Sequence, residues 1–182
     1  VELVNRSDQA VALSRSQDRT QGWRVTGGIR MTFERDLFLA PGQVLLLVSF
    51  DPREATARWQ QFQRIWQLPA GALVVGPYRG RLADRGETVR LETLVSVLDP
   101  SQPDQQRLAW MVADAVEDTS RSLLPDTSWG SLNRLALELS GEDQLQWIVA
   151  EPTPGWHGRT RSILQGVLWS SRFITLQLAT EL

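Results

Sequence analysis

A chain of 182 residues, 42% apolar and 22% charged, suits one domain or one domain with an extension, and is long enough to bury a sizeable core. Its net charge of −2 argues against a domain whose main partner is a phosphate backbone, because such domains carry a basic excess. The absence of cysteine excludes a disulfide framework, a zinc–thiolate centre and a cysteine nucleophile.

The apolar periodicity is mostly two. "VELVN" (1–5) opens as a strand, and the turn formers Asn5, Ser7 and Asp8 follow. "AVAL" (10–13) reads as a short strand and "SRSQDRTQ" (14–21) as a polar loop. "GWRVTGG" sets Trp23 and Val25 on one face; "IRMTF" (29–33) turns Ile29, Met31 and Phe33 one way and Arg30 and Thr32 the other. "APGQ" (40–43) is a Pro-Gly turn into the strand Val44 to Phe50, whose nearly continuous apolarity predicts a central strand covered on both faces. The period then changes. In "DPREATARWQQFQRIWQLP", Asp51 is placed to cap a helix, with Pro52 at its first position and Glu54 three residues after the cap. Ala55, Trp59, Phe62 and Trp66 follow at helical spacing, and Pro69 stops the run.

Period two returns after the helix. Val74 and Val75 lead into the turn "GPYRG", and "ADRGE" (83–87) is a second turn. "TVRLETLVSVL" (88–98) and "RLAWMVADAVE" (107–117) read as long strands joined by a loop, "DPSQPDQQ" (99–106). "SLLPDTSWGS" (122–131) is irregular. "RLALEL" (134–139) alternates, with Leu135, Leu137 and Leu139 on one face, and "QLQWIVA" (144–150) is a short strand before the break "EPTPG" (151–155). Many short strands and a single helix describe an all-β sandwich with one helix in a connection.

Taken in order, "VELVNRSDQAVAL", "GWRVTGG", "LAPGQVLLLVSFDP", the helix, "LPAGALVVGPYRGRLADRGETVRL" and "SWGSLNRLALEL…WIVAEPTPG" resemble the lamin-tail domain family in its bacterial branch. The resemblance covers residues 1–155 and implies an immunoglobulin-like β-sandwich, with 156–182 as a C-terminal strand extension. The loop 14–21 and the hairpin over 88–117 look longer than the family's. The resemblance implies a non-catalytic protein–protein interaction module of a secreted or cell-surface bacterial protein. The alternatives are a self-assembling structural subunit that exchanges terminal strands, and an accessory domain of a secreted nuclease or hydrolase. In such domains "GPYRGRL…GETVRL" is turn and strand. Here Gly76, Gly80 and Gly86 mark the turns, Val89 and Leu91 face inward, and Thr88, Arg90 and Glu92 face out. Arg79, Arg81, Arg85 and Arg90 read as a solvated face, with anion binding as the functional alternative.

Chemistry-bearing patterns are few. The single histidine, His157, lies in the loop-like "PGWHGR" without a nucleophile to serve, and no G-x-S-x-G elbow, H-E-x-x-H pair or phosphate-cradling glycine loop occurs. The acids of "GED" (141–143), Asp99 and Asp104 are oxygen-ligand candidates for calcium that turn chemistry accounts for equally well. The expectation is no enzyme activity, no metal, no cofactor and no nucleic-acid partner. "NRS" (5–7) matches the short N-glycosylation pattern. All 19 cationic side chains are arginines scattered among acids, which reads as compositional bias rather than selection for bidentate pairing. Trp23, Trp59, Trp66, Trp110 and Trp147 fall at core positions; Trp129, Trp156 and Trp169 do not.

No apolar run reaches the roughly 18 residues of a membrane span. With Val1 rather than Met first, the sequence reads as a processed chain or fragment whose targeting segment has been removed. The segment 156–182 is too apolar to stay solvated, and "FITLQLATEL" alternates Ile174, Leu176 and Leu178 against Thr175, Gln177 and Ala179. It either packs on its own sandwich, adds a strand to another chain's sheet edge, or begins a further domain. Trp156, Trp169, Phe173, Ile174, Leu176 and Leu178 are therefore the candidate interface residues, for a protein partner or a second copy of the chain.

Overall fold

The computed structural model describes residues 1–15, 18–33, 36–54, 56–83, 87–117, 131–136, 141–156 and 175–178. The strands run in order as β1 (Glu2–Asn5), β2 (Val11–Arg15), β3 (Asp18–Gly27), β4 (Ile29–Thr32), β5 (Leu37–Leu39) and β6 (Val44–Leu47). The helix α1 (Thr56–Trp66) follows. Then come β7 (Leu73–Val75), β8 (Arg79–Gly80), β9 (Thr88–Asp99), β10 (Gln102–Glu117), β11 (Ser131–Arg134), β12 (Trp147–Ala150) and β13 (Thr175–Leu178).

The fold is all-β and sandwich-like. One sheet has the order β13-β1-β6-β7, with β1 antiparallel to β6 and both outer pairs parallel. The second holds seven strands in the order β10-β9-β3-β2-β5, with β4 branching from β3 and β8 from β4; β11 and β12 form a separate ribbon. Alternation places Leu3, Leu45 and Leu47 of the first sheet against Leu13, Trp23, Val25, Leu39, Val89 and Leu91 of the second, all buried in one cluster. Asn5 joins the layers. It stands on β1 and donates its side-chain amide to the Leu39 carbonyl of β5 at 2.8 Å.

The first sheet is covered on its other face as well. Phe50 meets Phe62 of α1 edge-on at 5.9 Å, and Trp59 stacks beside Phe62 at 6.2 Å. Next to the helix, the 152–155 turn packs on Pro69 and Leu46, and the buried Glu2 carboxylate accepts the Gly155 N–H at 2.6 Å. Leu45, Leu46, Leu47 and Val48 are therefore buried in succession, as their unbroken apolarity predicts.

Several elements depart from the sequence expectation. Asp51 does not cap the helix. Its Oδ1 accepts the Arg53 N–H at 2.8 Å in a local turn, and α1 begins at Thr56. The polar stretch 14–21 is largely strand, carried by β2 and β3. Asp99 accepts both the N–H and the hydroxyl of Ser101, at 2.9 and 2.6 Å, and this contracts the expected loop 99–106 to a tight turn with β10 already paired at Gln102. The strand expected at 134–139 instead ends at Arg134, whose side chain turns inward, and Leu135 is 59% exposed; Leu137 and Leu139 lie outside the described residues. Residues 144–146 form a short 3-10 helix ahead of β12. Trp23 and Trp147 are buried, whereas Trp59, Trp66 and Trp110 are only half-buried. For the first two the reason is that α1 is a thin outer layer.

Candidate functional site

The outer face of the second sheet has no covering layer among the described residues. Its most distinctive part is the β9–β10 hairpin. β9 pairs with β3 only from Val89 to Thr93, yet with β10 it runs on to Asp99. The far half of the hairpin is therefore a two-stranded ribbon projecting from the sandwich, a form that alone is marginally stable in water.

Which side chains this ribbon presents is set by one residue. Near its end β10 pairs Val116 with Val89 and Asp114 with Leu91, so both face the core. The register slips between Val112 and Asp114, where Ala113 is the extra residue. An inserted residue inverts the side-chain parity of the rest of the strand. Beyond it Val112 stands opposite Glu92, Trp110 opposite Leu94 and Leu108 opposite Ser96, all outward. This is why Trp110 escapes the core that alternation predicts for it.

The result is an apolar face built from Leu94, Leu98, Leu108, Trp110 and Val112, with Leu98 65%, Leu108 45% and Val112 44% exposed. Polar contacts hold it in shape. The Arg24 guanidinium lies 4.1 Å over the Trp110 ring and pairs with Glu92, its cross-strand neighbour. A β-carbon at Gly22 would lie 3.9 Å from the same ring, so the indole rests across a position with no side chain. Further out, the Ser96 hydroxyl donates to Gln106 Oε1 at 2.8 Å. β10 is the last strand of its sheet among the described residues, so the apolar face ends at a strand edge that no described strand pairs.

At the base of the hairpin sits a buried ion pair. Arg134 Nη1 donates to Asp114 Oδ2 at 2.6 Å, with side-chain exposures of 2% and 7%. Asp114 Oδ1 accepts the Gly141 N–H at 3.2 Å, and the Gly141 carbonyl accepts the Trp147 indole N–H at 2.8 Å. The guanidinium also lies 5.6 Å from the Trp147 ring. These contacts clip the β11–β12 ribbon to β10. Both charges are closed to solvent, so the cluster holds structure rather than offering a reactive group.

The sequence candidates are dispersed. Trp156 is half-buried and donates its indole N–H to the Gln67 carbonyl after α1 at 3.3 Å. Leu176 and Leu178 are on β13, whose backbone pairs in parallel with β1, setting Leu176 beside Leu3 and Leu178 beside Asn5. Trp169, Phe173 and Ile174 lie outside the described residues, as do His157, Trp129 and Arg85. Arg79 and Arg81 are exposed and Arg90 is half-buried on β9.

The "NRS" pattern is sterically closed. Asn5 is fully buried, with its amide donated to Gln9 and Leu39 and its Oδ1 accepting from Ser7. Of the acids singled out for calcium, Asp143 accepts from Leu145 N and Gln146 Nε2, and Asp99 holds its own turn. No group of three His, Cys, Asp or Glu with metal-binding spacing occurs among the described residues. What the sequence expectation missed is the hairpin face. Its only local signal was apolar residues on both parities of "RLAWMV" and "TLVSVL". Comparison with protein-family models, with curated proteins and with solved structures finds no match.

Proposed function

We propose that the protein is a non-catalytic interaction module that docks a protein partner on the outer face of the β9–β10 hairpin. One observation carries the reading: Leu98, Leu108 and Val112 are exposed together, beside Trp110 braced by Arg24, at a strand edge that no described strand pairs. A projecting ribbon with apolar outer residues and polar contacts at its margins has the anatomy of an interface core and rim. Membership of the lamin-tail family, and a place outside the cell or on its surface, belong to the same proposal. Both rest on the sequence resemblance over residues 1–155.

Photo-cross-linking tests the reading. A benzophenone side chain replaces Leu108 in one variant and Gln61, exposed on α1, in another, both in producing cells. A discrete adduct from position 108 and none from position 61 is expected. Its mass separates the two kinds of partner: twice the chain's mass means a second copy, any other mass a different protein. Equal labelling from both positions, or none from either, overturns the reading.

A further inference from the structure

On the far side of β3 from the hairpin, a groove of about 860 Å³ opens between β4, the 51–53 turn and the β7–β8 connection. Arg30 of β4, Arg53 of the turn and Arg79 of β8 line it, and all three are exposed. Register sets Arg30 directly opposite Arg79. Like charges directly opposed across a ribbon destabilise it. This ribbon has two paired positions, Ile29 with Gly80 and Arg30 with Arg79, so the repulsion falls on half of its pairs. No ion pair or hydrogen bond to another described residue engages the three guanidiniums. Asp36 and Asp51 also line the groove, the Glu87 carboxylate lies against Gly28 at its margin, and Asp51 accepts the Arg53 backbone N–H; the three guanidiniums thus stand among three carboxylates, with Arg30 and Arg79 the pair set directly opposite each other.

The backbone around the arginines is closely packed. Gly80 has φ +92°, and a β-carbon there would fall 2.4 Å from the Gly28 carbonyl oxygen. Gly27 has φ +106°, and a β-carbon there would fall 1.8 Å from the Thr88 carbonyl oxygen. Backbone packs on backbone at both positions, in conformations that favour glycine. The lining is mixed, and Met31, Val74, Val75 and Pro77 contribute its apolar part.

We propose that this groove binds an organic carboxylate. The oxyanion bridges the Arg30 and Arg79 guanidiniums, and the apolar body lies along Val74 and Pro77. Planar guanidinium forks match carboxylate geometry, and an anion between two opposed arginines converts their repulsion into two attractions. A cleft of this volume accepts a small molecule or a few side chains of an extended peptide. A free carboxylate and a glutamate side chain share that chemistry. The site is independent of the hairpin face and goes beyond the docking role proposed for it.

Calorimetry and thermal melting on the full chain test the proposal, with four probes. These are sodium octanoate, octanol, a capped hexapeptide alternating glutamate and valine, and its lysine–valine counterpart. Octanoate, the glutamate peptide or both should bind saturably and raise the melting temperature; which of them does so identifies the source. Octanol and the lysine peptide should not. Arg30→Gln and Arg79→Gln should each weaken binding about tenfold, the loss of one charge-assisted contact. Without any probe, Arg79→Gln should raise the melting temperature, because it removes the like-charge pair. Binding of neither carboxylate overturns the proposal. So does binding unchanged in the double variant, equal binding of octanol or the lysine peptide, or a lower melting temperature for probe-free Arg79→Gln.

Discussion

Asn5 donates to the carbonyls of Gln9 and Leu39, each at 2.8 Å, and accepts the Ser7 N–H and hydroxyl at 3.0 and 2.8 Å. Four hydrogen bonds from one fully buried amide tie the end of β1, its following turn and the opposite sheet together. Asn5→Ala strands the buried Leu39 carbonyl, and urea denaturation should show a loss of about 2–4 kcal/mol. Asp114 and Arg134 give a second residue-scale expectation, an asymmetric one. Asp114→Ala leaves a guanidinium buried without its carboxylate and should cost about 3–5 kcal/mol. The double variant Asp114→Leu with Arg134→Met removes both charges and should cost less than that single change, measured in the same denaturation series. Equal or greater loss in the double variant would show that the pair contributes net stability beyond compensating its own burial.

The β9–β10 hairpin combines a bulged register with an exposed apolar face. Leu108 is half in water already, so Leu108→Ser should change unfolding free energy by no more than about 0.5 kcal/mol while abolishing the adduct formed when a benzophenone side chain is placed at Val112 instead of Leu108. A large loss of stability would instead place Leu108 in a hidden core contact. The hairpin tip should respond to pH. The Ser101 hydroxyl, and after it the Ser101 N–H, hold the Asp99 carboxyl below its usual 3.8. A depressed carboxyl pKa contributes order that is present above the unfolded value and lost as pH falls through the folded one. The Ser101 amide should therefore keep its bound chemical shift at neutral pH and lose it below pH 3.8, and Asp99→Asn should flatten that titration.

At the scale of the molecule, β13 is the edge strand of the first sheet, and it pairs with β1 of its own chain. Truncation after Trp156 removes it and leaves the β1 edge open, with the buried run Glu2 to Asn5 beside it. Light scattering across a concentration series should find no association of the full chain through this edge, and the truncated chain prone to associate. Assembly of the full chain that disappears on truncation would mean instead that β13 is exchanged between copies.

Much of this was legible in the sequence, for a local reason. Trp23, Val25, Ile29, Phe33, Val89 and Leu91 alternate in the chain and are buried in the core, because strand period is a property of neighbouring residues. The continuous apolarity of Val44 to Phe50 predicted a central strand, which β6 forms over Val44–Leu47, and helical spacing after Ala55 predicted α1. Composition alone removed thiol chemistry from consideration, because the chain has no cysteine. What the sequence by itself determined is thus the strand-rich class, the position of the helix and most of the inward-facing set. Tertiary structure decided the rest. Ala113 inverts the parity of β10, and whether a strand accommodates an extra residue depends on its partner, not on its own pattern. The opposition of Arg30 and Arg79, the burial of Asn5 between sheets and the pairing of β13 with β1 each join residues distant in the chain. Register between strands fixes these contacts, and register is settled only when the whole sandwich closes on its core.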